Sequence, residues 1–97
     1  MVGPYPFDVN LLVQISRENK VSEIYVFGSM ARGSFTDNSD VDLLVKFSSP
    51  VGLLHVAHLK DLLSEALGRK VDLVTEQGLS PYIHDEVMKE AILLYRE

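Results

Sequence analysis

Two aspartates separated by one residue, Asp40 and Asp42, stand at the start of the aliphatic run 41–45. Branched and aliphatic residues favour a buried strand, and alternate residues of a strand point to the same face. The two carboxylates should therefore point the same way, about 6.6 Å apart at their α-carbons. Two carboxylates about 4 Å apart repel by roughly 4 kcal/mol at an effective dielectric near ~20. A shared hard cation with oxygen ligands would remove that cost, so the pair indicates metal-assisted phosphate chemistry.

A glycine–serine pair, Gly28 and Ser29, lies between a predicted strand over 24–27 and a predicted helical turn over 30–32 that Gly33 ends. Glycine allows the backbone to approach an anion closely, and the N–H groups at a helix start can donate to that anion. The Ser29 hydroxyl adds a donor, so a triphosphate fits this turn. Arg32 is either a clamp for a phosphate oxygen or a solvated loop arginine, and its type alone leaves both open.

The two aspartates differ in how readily an ordinary structural role explains them. Asp40 follows Ser39 in a polar stretch, where an aspartate is usually a turn residue. Asp42 lies within an apolar run, where an acid is seldom buried unless it is paired or bound to metal. Asp42 is therefore the harder of the two to explain without a functional site.

The hydrophobic pattern predicts the elements that position these residues. A helix should begin at the N-cap Asp8 and run to about Asn19, and helical spacing from Val56 to Ala66 should end at Gly68. A strand is predicted over 70–75. Ser80 and Pro81 should open a final helix whose apolar stripe is Ile83, Val87, Ala91 and Leu94.

The resulting order αβαβαβα predicts an α/β (α+β) fold in which a short mixed sheet is backed by helices. Residues 1–97 should form a single domain, because 97 residues are enough for only one modest core. Residues 1–6 should be a loose terminus, since Pro4 and Pro6 prevent an early helix.

Composition and charge narrow the classes of partner. The net charge is −5, the wrong sign for holding long nucleic acid through its phosphates, so a lone nucleotide is the expected substrate. The chain has no cysteine, which suits a cytoplasmic protein, and no apolar stretch long enough for a membrane span or signal peptide.

Three further sets of residues could serve a function: the histidines, Lys46 and a group of candidates for a partner contact. His55 and His58 have a spacing that could ligate a metal, but with aliphatic neighbours and no third soft ligand nearby we expect solvated or hydrogen-bonded histidines, and the same holds for His84. Lys46 could reach a phosphate or simply cap its strand in water. Candidates for a partner contact, against the alternative of core positions, are Leu53, Leu54, Tyr82, Tyr95 and the exposed side of the final helix.

The segments 28–33 (GSMARG) and 39–45 (SDVDLLV) resemble the signature of the DNA polymerase beta-like nucleotidyltransferase superfamily, specifically its minimal nucleotidyltransferase (MNT) proteins. The resemblance covers nearly the whole chain and implies the palm-like core of that superfamily. It also implies a third carboxylate, because 69–74 (RKVDLV) is similar to a later strand that presents one. Asp72 matches that position, and its apolar neighbours independently suggest a paired or metal-bound acid. Glu76 is the fallback candidate.

For mechanism, the resemblance implies two-metal phosphoryl transfer. Asp40 and Asp42 would hold two Mg²⁺ ions that carry ATP, with Gly28, Ser29 and Arg32 at its phosphates. Asp72 would ligate the second ion or accept the proton of the acceptor hydroxyl.

The resemblance also implies a biological role. Relatives are antitoxins paired with HEPN-type ribonuclease toxins, and some transfer AMP to a tyrosine of that partner. The alternative is a non-catalytic antitoxin that neutralises its partner by complex formation. Three mutually repelling acids beside a phosphate turn favour the enzyme. Since the chain is too short for the extra domains of larger relatives, a partner protein or a second copy, as in a homo-oligomer, would complete the acceptor surface.

Overall fold

The computed structural model describes residues 5–97, so residues 1–4 of the predicted loose terminus lie outside the described residues. The elements follow the order α1 (Val9–Glu18), β1 (Val21–Phe27), α2 (Gly28–Arg32), β2 (Val41–Phe47), α3 (Leu53–Leu67), β3 (Val71–Thr75), a 3₁₀ turn (Glu76–Gly78), α4 (Pro81–Met88) and β4 (Ile92–Arg96). The predicted α/β class with a mixed sheet and helices is confirmed.

The four strands form one sheet in the order β3-β2-β1-β4. β1 is antiparallel to both of its neighbours, whereas β2 and β3 run parallel. A parallel pair requires a crossover connection, and the 15-residue helix α3 provides it. Because β2 and β3 run in the same direction, their first residues lie at the same end of the sheet, and Asp42 and Asp72 both lie at that end.

Successive side chains of β2 point alternately to the two faces of the sheet, so the core residues and Asp42 lie on opposite faces. Val41, Leu43 and Val45 are buried and belong to the hydrophobic core with residues of α1 and α3. Asp42 therefore points to the opposite face, where it is half-buried. The main cluster of buried residues consists of Phe7, Leu12, Val21, Ile24, Val26, Met30, Val41, Leu43, Val45, Leu59, Leu63, Leu67 and Val71. Leu44, on the same face of β2 as Asp42, is also buried.

The predicted helix ends agree with the structure at three places. The Asp8 carboxylate caps α1 by accepting from the Leu11 amide at 3.1 Å. Gly68 ends α3 in the left-handed conformation, with φ 68°. The Ser80 hydroxyl accepts from the Ile83 amide at 3.3 Å, and Pro81 follows at the first helical position. These ends depend on local capping chemistry, which is why residue types alone predict them.

The predicted course of the final helix beyond Met88 is wrong. α4 ends at Met88, and Leu94 belongs to β4, which pairs with β1. The free edge of β1 needs partners for its backbone N–H and C=O groups, and β4 supplies them, as in the pairing of Val26 with Ile92. Apolar residues at helical spacing did not reveal this, because the deciding hydrogen bonds come from a strand about 70 residues earlier.

Candidate active site

The parallel ladder brings Asp42 and Asp72 side by side. Asp42 of β2 is the direct register partner of Asp72 of β3, and Val41 pairs with Val71 in the same way. Register partners in adjacent strands point to the same face of a sheet. Both carboxylates therefore lie on the face opposite the α1–α3 core. The two strands predicted from sequence thus place their aspartates next to each other.

The predicted phosphate turn is pressed against the first of these carboxylates. Gly28 follows β1 directly and has φ 68°, a conformation that favours glycine. A Cβ atom placed on Gly28 would overlap with Oδ2 of Asp42. β1 and β2 create this contact, because Phe27 is the register partner of Asp42. Ser29 follows Gly28 as the second residue of α2.

Asp40 is placed less closely than its two partners. It precedes β2, and its Oδ2 atom lies 3.8 Å from Nζ of Lys70, the residue that precedes β3. Within residues 5–97 no three acidic or histidine side chains are gathered closely enough to hold a metal ion. Ligation by all three aspartates would therefore require their side chains to move closer together, and the ion pair of Asp40 with Lys70 is exposed and weak.

The pKa of Asp42 depends on its burial and on the two neighbouring aspartates. Burial raises the pKa of Asp42 above its usual range, and the charges of Asp72 and then Asp40 raise this pKa further. Arg32 acts in the opposite direction and Glu90 in the same direction. Partial burial and negative neighbours thus disfavour the ionised form of Asp42. A bound cation would favour that form again.

Stability of the metal-free protein should fall as pH rises through the raised pKa of Asp42. A carboxyl whose pKa is higher in the folded state contributes stability that is fully present below its unfolded pKa of about 3.9. That contribution is lost as pH rises through the folded pKa, so ionised Asp42 destabilises the fold at pH ~7. Asp42→Asn should therefore be the more stable form at neutral pH.

Urea unfolding with chelator at a series of pH values would measure this effect. The free energy of unfolding of Asp42→Asn should depend less on pH than that of the wild type. Asp37→Asn, which changes an exposed loop aspartate, is the matched control. Parallel pH profiles for wild type and Asp42→Asn would contradict the prediction.

Glu90 is a site residue that sequence reasoning missed. Its Oε1 atom accepts from the Gly28 amide at 3.2 Å, and both carboxylate oxygens accept from Nη1 of Arg32 at 3.1 Å. Arg32 is therefore paired with Glu90 and is not a solvated loop arginine without a partner. Glu90 lies between α4 and β4, and the mistaken helical prediction for this segment concealed it.

The fallback acid and the nearby lysine lie at the other end of the strands. Glu76 follows β3, whereas Asp72 lies near its start. Lys46 pairs with Glu76 at 3.5 Å and with Glu23 at 4.0 Å. The geometry thus favours Asp72 over Glu76 as the partner of Asp42, and it places Lys46 in a surface ion-pair cluster.

The residues predicted for a partner contact fall into two groups. Leu53, Leu54 and Tyr82 are 88%, 87% and 75% exposed, which leaves them free to meet another protein. Tyr95 instead lies in β4, is half-buried and packs against the core, which agrees with the alternative of a core position. Of the histidines, His55 is hydrogen-bonded to the Asn19 carbonyl at 2.8 Å, one of the two environments expected for it.

Comparison with known proteins agrees with this arrangement. The model of the nucleotidyltransferase domain family matches residues 10–94. The chain therefore belongs to the nucleotidyltransferase domain family, and the predicted family resemblance is confirmed. No helix among residues 5–97 is long and apolar enough to cross a membrane.

Particular relatives narrow the class. The protein adenylyltransferase MntA of Thermococcus cleftensis is 42% identical over 72 residues, which cover 74% of this chain and 73% of that protein. The crystal structure of a toxin–antitoxin with AMP-PNP is similar with a TM-score of 0.83 and 28% identity, over 93% of this chain and 74% of that one. A Shewanella oneidensis structure, tri-AMPylated HEPN toxin in complex with MNT antitoxin, is similar with a TM-score of 0.73 and 25% identity. The match covers 92% of this chain and 70% of that one.

Proposed function

We propose that this protein is a Mg²⁺-dependent adenylyltransferase that transfers AMP from ATP to a tyrosine hydroxyl of a HEPN-type ribonuclease toxin, and thereby acts as its antitoxin. One observation carries the proposal. Asp42 and Asp72 are register partners on one face of the sheet, and the Gly28 turn is pressed directly against Asp42. A cytoplasmic location stays a prediction.

The three aspartates are chemically suited to Mg²⁺. They offer only carboxylate oxygens, the ligand type that this ion prefers. Asp40, Asp42 and Asp72 would hold the metal. Burial and then the charges of Asp72 and Asp40 raise the pKa of Asp42, and a bound cation would favour its ionised form. When bound, Mg²⁺ neutralises charge on the phosphates and stabilises the charge that develops during transfer.

The protein's own residues have distinct parts in the proposed reaction. The turn at Gly28 and Ser29 binds and orients the triphosphate, and Arg32 adds positive charge beside it. Asp72 accepts the proton of the acceptor hydroxyl. The hydroxyl oxygen forms a bond to the α-phosphorus while the bond from that phosphorus to the bridging oxygen breaks, so pyrophosphate leaves and AMP stays on the acceptor.

The choice of substrate and acceptor draws on the relatives. AMP-PNP, an ATP analogue, accompanies a toxin–antitoxin that matches 93% of this chain, which supports ATP as the nucleotide. The AMPylated toxin beside an MNT antitoxin supports a toxin hydroxyl as the acceptor. The net charge of −5 is consistent with a protein acceptor rather than long nucleic acid.

AMP transfer should depend strictly on divalent metal. We expect HEPN-type proteins encoded in the same genome to include one whose intact mass rises by whole AMP units after incubation with this protein and MgATP. Chelation should reduce the rate by at least about 10³-fold, since both triphosphate binding and charge stabilisation are lost. Restoring Mg²⁺ should restore the rate. Modification that continues in chelator would contradict the metal dependence, and no mass change in any such protein would contradict the transferase.

A binding module without catalysis is the second candidate, and two exposed ion pairs are compatible with it. Asp40 is paired with Lys70, and Arg32 with Glu90, so two predicted ligand-binding side chains already have partners. In that case the same incubation would yield a stable complex and an inactive ribonuclease with no added mass. Mass spectrometry of the partner therefore separates the two candidates.

A further inference from the structure

The five-residue helix α2 carries the predicted phosphate turn but is too short to be stable by itself. Helices shorter than about 12–15 residues are marginal in water even for good helix formers. Gly28–Arg32 also spans little more than one helical turn. Contacts from elsewhere in the fold must therefore hold this segment in place.

Glu90 contacts both ends of α2. Its Oε1 accepts from the amide of Gly28, the first residue of the helix, at 3.2 Å. The same carboxylate accepts from Nη1 of Arg32, the last residue, at 3.1 Å through each oxygen. One side chain therefore connects the first and last residues of the helix. Its hydrogen bonds are strong, because bonds to an ionised group are stronger than those between neutral groups.

The position of Glu90 is itself set by the sheet. Ile92 begins β4 two residues later and pairs with Val26 of β1, the strand that leads into Gly28. The amide of Glu90 also donates to the Val87 carbonyl at 3.2 Å, and that of Ala91 donates to the same oxygen at 3.0 Å. Glu90 is thus held between the end of α4 and the start of β4.

The charge of Glu90 makes this arrangement costly in the free protein. Glu90 lies close enough to Asp42 to raise the pKa of that carboxyl, so the contact adds negative charge to an acidic site. A neutral acceptor could bond the Gly28 amide without this repulsion. The carboxylate offers in addition a two-oxygen acceptor for Arg32, and thus a fixed place for that guanidinium.

From this geometry we propose that Glu90 is a positioning residue for the nucleotide: it fixes the Gly28–Arg32 helix so that the turn meets the triphosphate in a preformed shape. This inference rests on the proposed function, because it concerns the same nucleotide site. Glu90 acts through Gly28 and Arg32 and does not itself touch the nucleotide. Preformed donors bind a ligand more tightly because the ordering cost is met in the free protein.

Calorimetric titration with MgATP and with magnesium tripolyphosphate tests the proposal. In Glu90→Ala the Kd for both probes should rise about tenfold. Glu90→Gln should rise by only about threefold, because its amide oxygen still accepts from the Gly28 amide while the charge pair with Arg32 is lost. Glu86→Ala is the matched control and should leave both values unchanged, since Glu86 pairs with Lys89 at the surface.

An unchanged Kd in Glu90→Ala would overturn the inference. A lower Kd would also overturn it, because Glu90 would then compete with the phosphates for the Gly28 amide and Arg32. Equal losses in Glu90→Gln and Glu90→Ala would show that only charge matters and would likewise refute a positioning role.

Hydrogen exchange provides a test that needs no nucleotide. The Ser34 amide donates to the Ser29 carbonyl at 3.1 Å and reports whether α2 is closed. Its exchange should be at least about tenfold faster in Glu90→Ala, with core amides of β2 unchanged. Unchanged Ser34 exchange would refute the inference even if the wild type binds no MgATP. Absence of MgATP binding to the wild type would instead refute the proposed function.

Discussion

Asp42→Asn should abolish AMP transfer, with a rate at least about 10³-fold below that of the wild type, or roughly 4 kcal/mol in activation free energy. Asp42 is the acid that contacts the phosphate turn and pairs in register with Asp72. Asparagine keeps the shape of the side chain but removes the charge that would attract the cation. The measurement is AMP incorporation from MgATP into the partner toxin, followed by intact mass.

Asp37→Asn provides the control for this variant, because Asp37 lies exposed in the loop before β2 and should transfer AMP at the wild-type rate. A thermal shift gives a second measurement that needs no partner. MgATP at about 100 times its Kd should stabilise the wild type by about 2.7 kcal/mol and should not stabilise Asp42→Asn. An Asp42→Asn rate within tenfold of the wild type would exclude Asp42 as a metal ligand in transfer.

Gly28→Ala should reduce the free energy of unfolding by about 2–4 kcal/mol and should also weaken MgATP binding. The left-handed backbone accounts for roughly 1–2 kcal/mol of this loss for a residue with a Cβ. The rest comes from overlap with Oδ2 of Asp42, which must move and thereby separate the turn from the acidic pair. Urea unfolding measures the first effect and calorimetry the second.

Gly33→Ala separates the two causes of this loss. Gly33 has φ 75°, but a Cβ atom there would meet nothing within 4 Å, so this variant should lose only about 1–2 kcal/mol and keep its MgATP affinity. In an Asp42→Ala background, Gly28→Ala should also cost only about 1–2 kcal/mol, because the overlapping carboxylate is gone. Equal stability losses at Gly28 and Gly33 in the wild-type background would contradict the proposed overlap.

Elements with local causes were predictable from the residues. Asp8 and Ser80 cap their helices, and Gly68 ends α3, because capping depends on one side chain or one backbone angle. Strand alternation placed Asp42 opposite Val41 and Leu43 for an equally local reason. The order up to α4 followed from these signals, and so did the confirmed fold class.

The errors occurred where distant segments meet. The segment after Met88 has apolar residues at helical spacing, yet 92–96 forms the edge strand β4, because β1 offers a free edge for pairing. Tyr95, for which a partner contact and a core position were both open, packs against the core from this strand, and Glu90 was overlooked. Intrinsic strand preference depends strongly on the neighbours that a strand finds, which residue types in one segment do not encode.

The sequence by itself determined which residues could do chemistry: an acidic pair at the start of a buried strand, a glycine–serine turn, and a later strand with Asp72. Only the tertiary structure decided how these residues meet. Parallel pairing of β2 with β3 sets Asp72 beside Asp42, and antiparallel pairing of β1 with β2 presses Gly28 against the same carboxylate. Side-chain direction follows from local backbone geometry, whereas register follows from hydrogen bonds between segments that are distant in the chain.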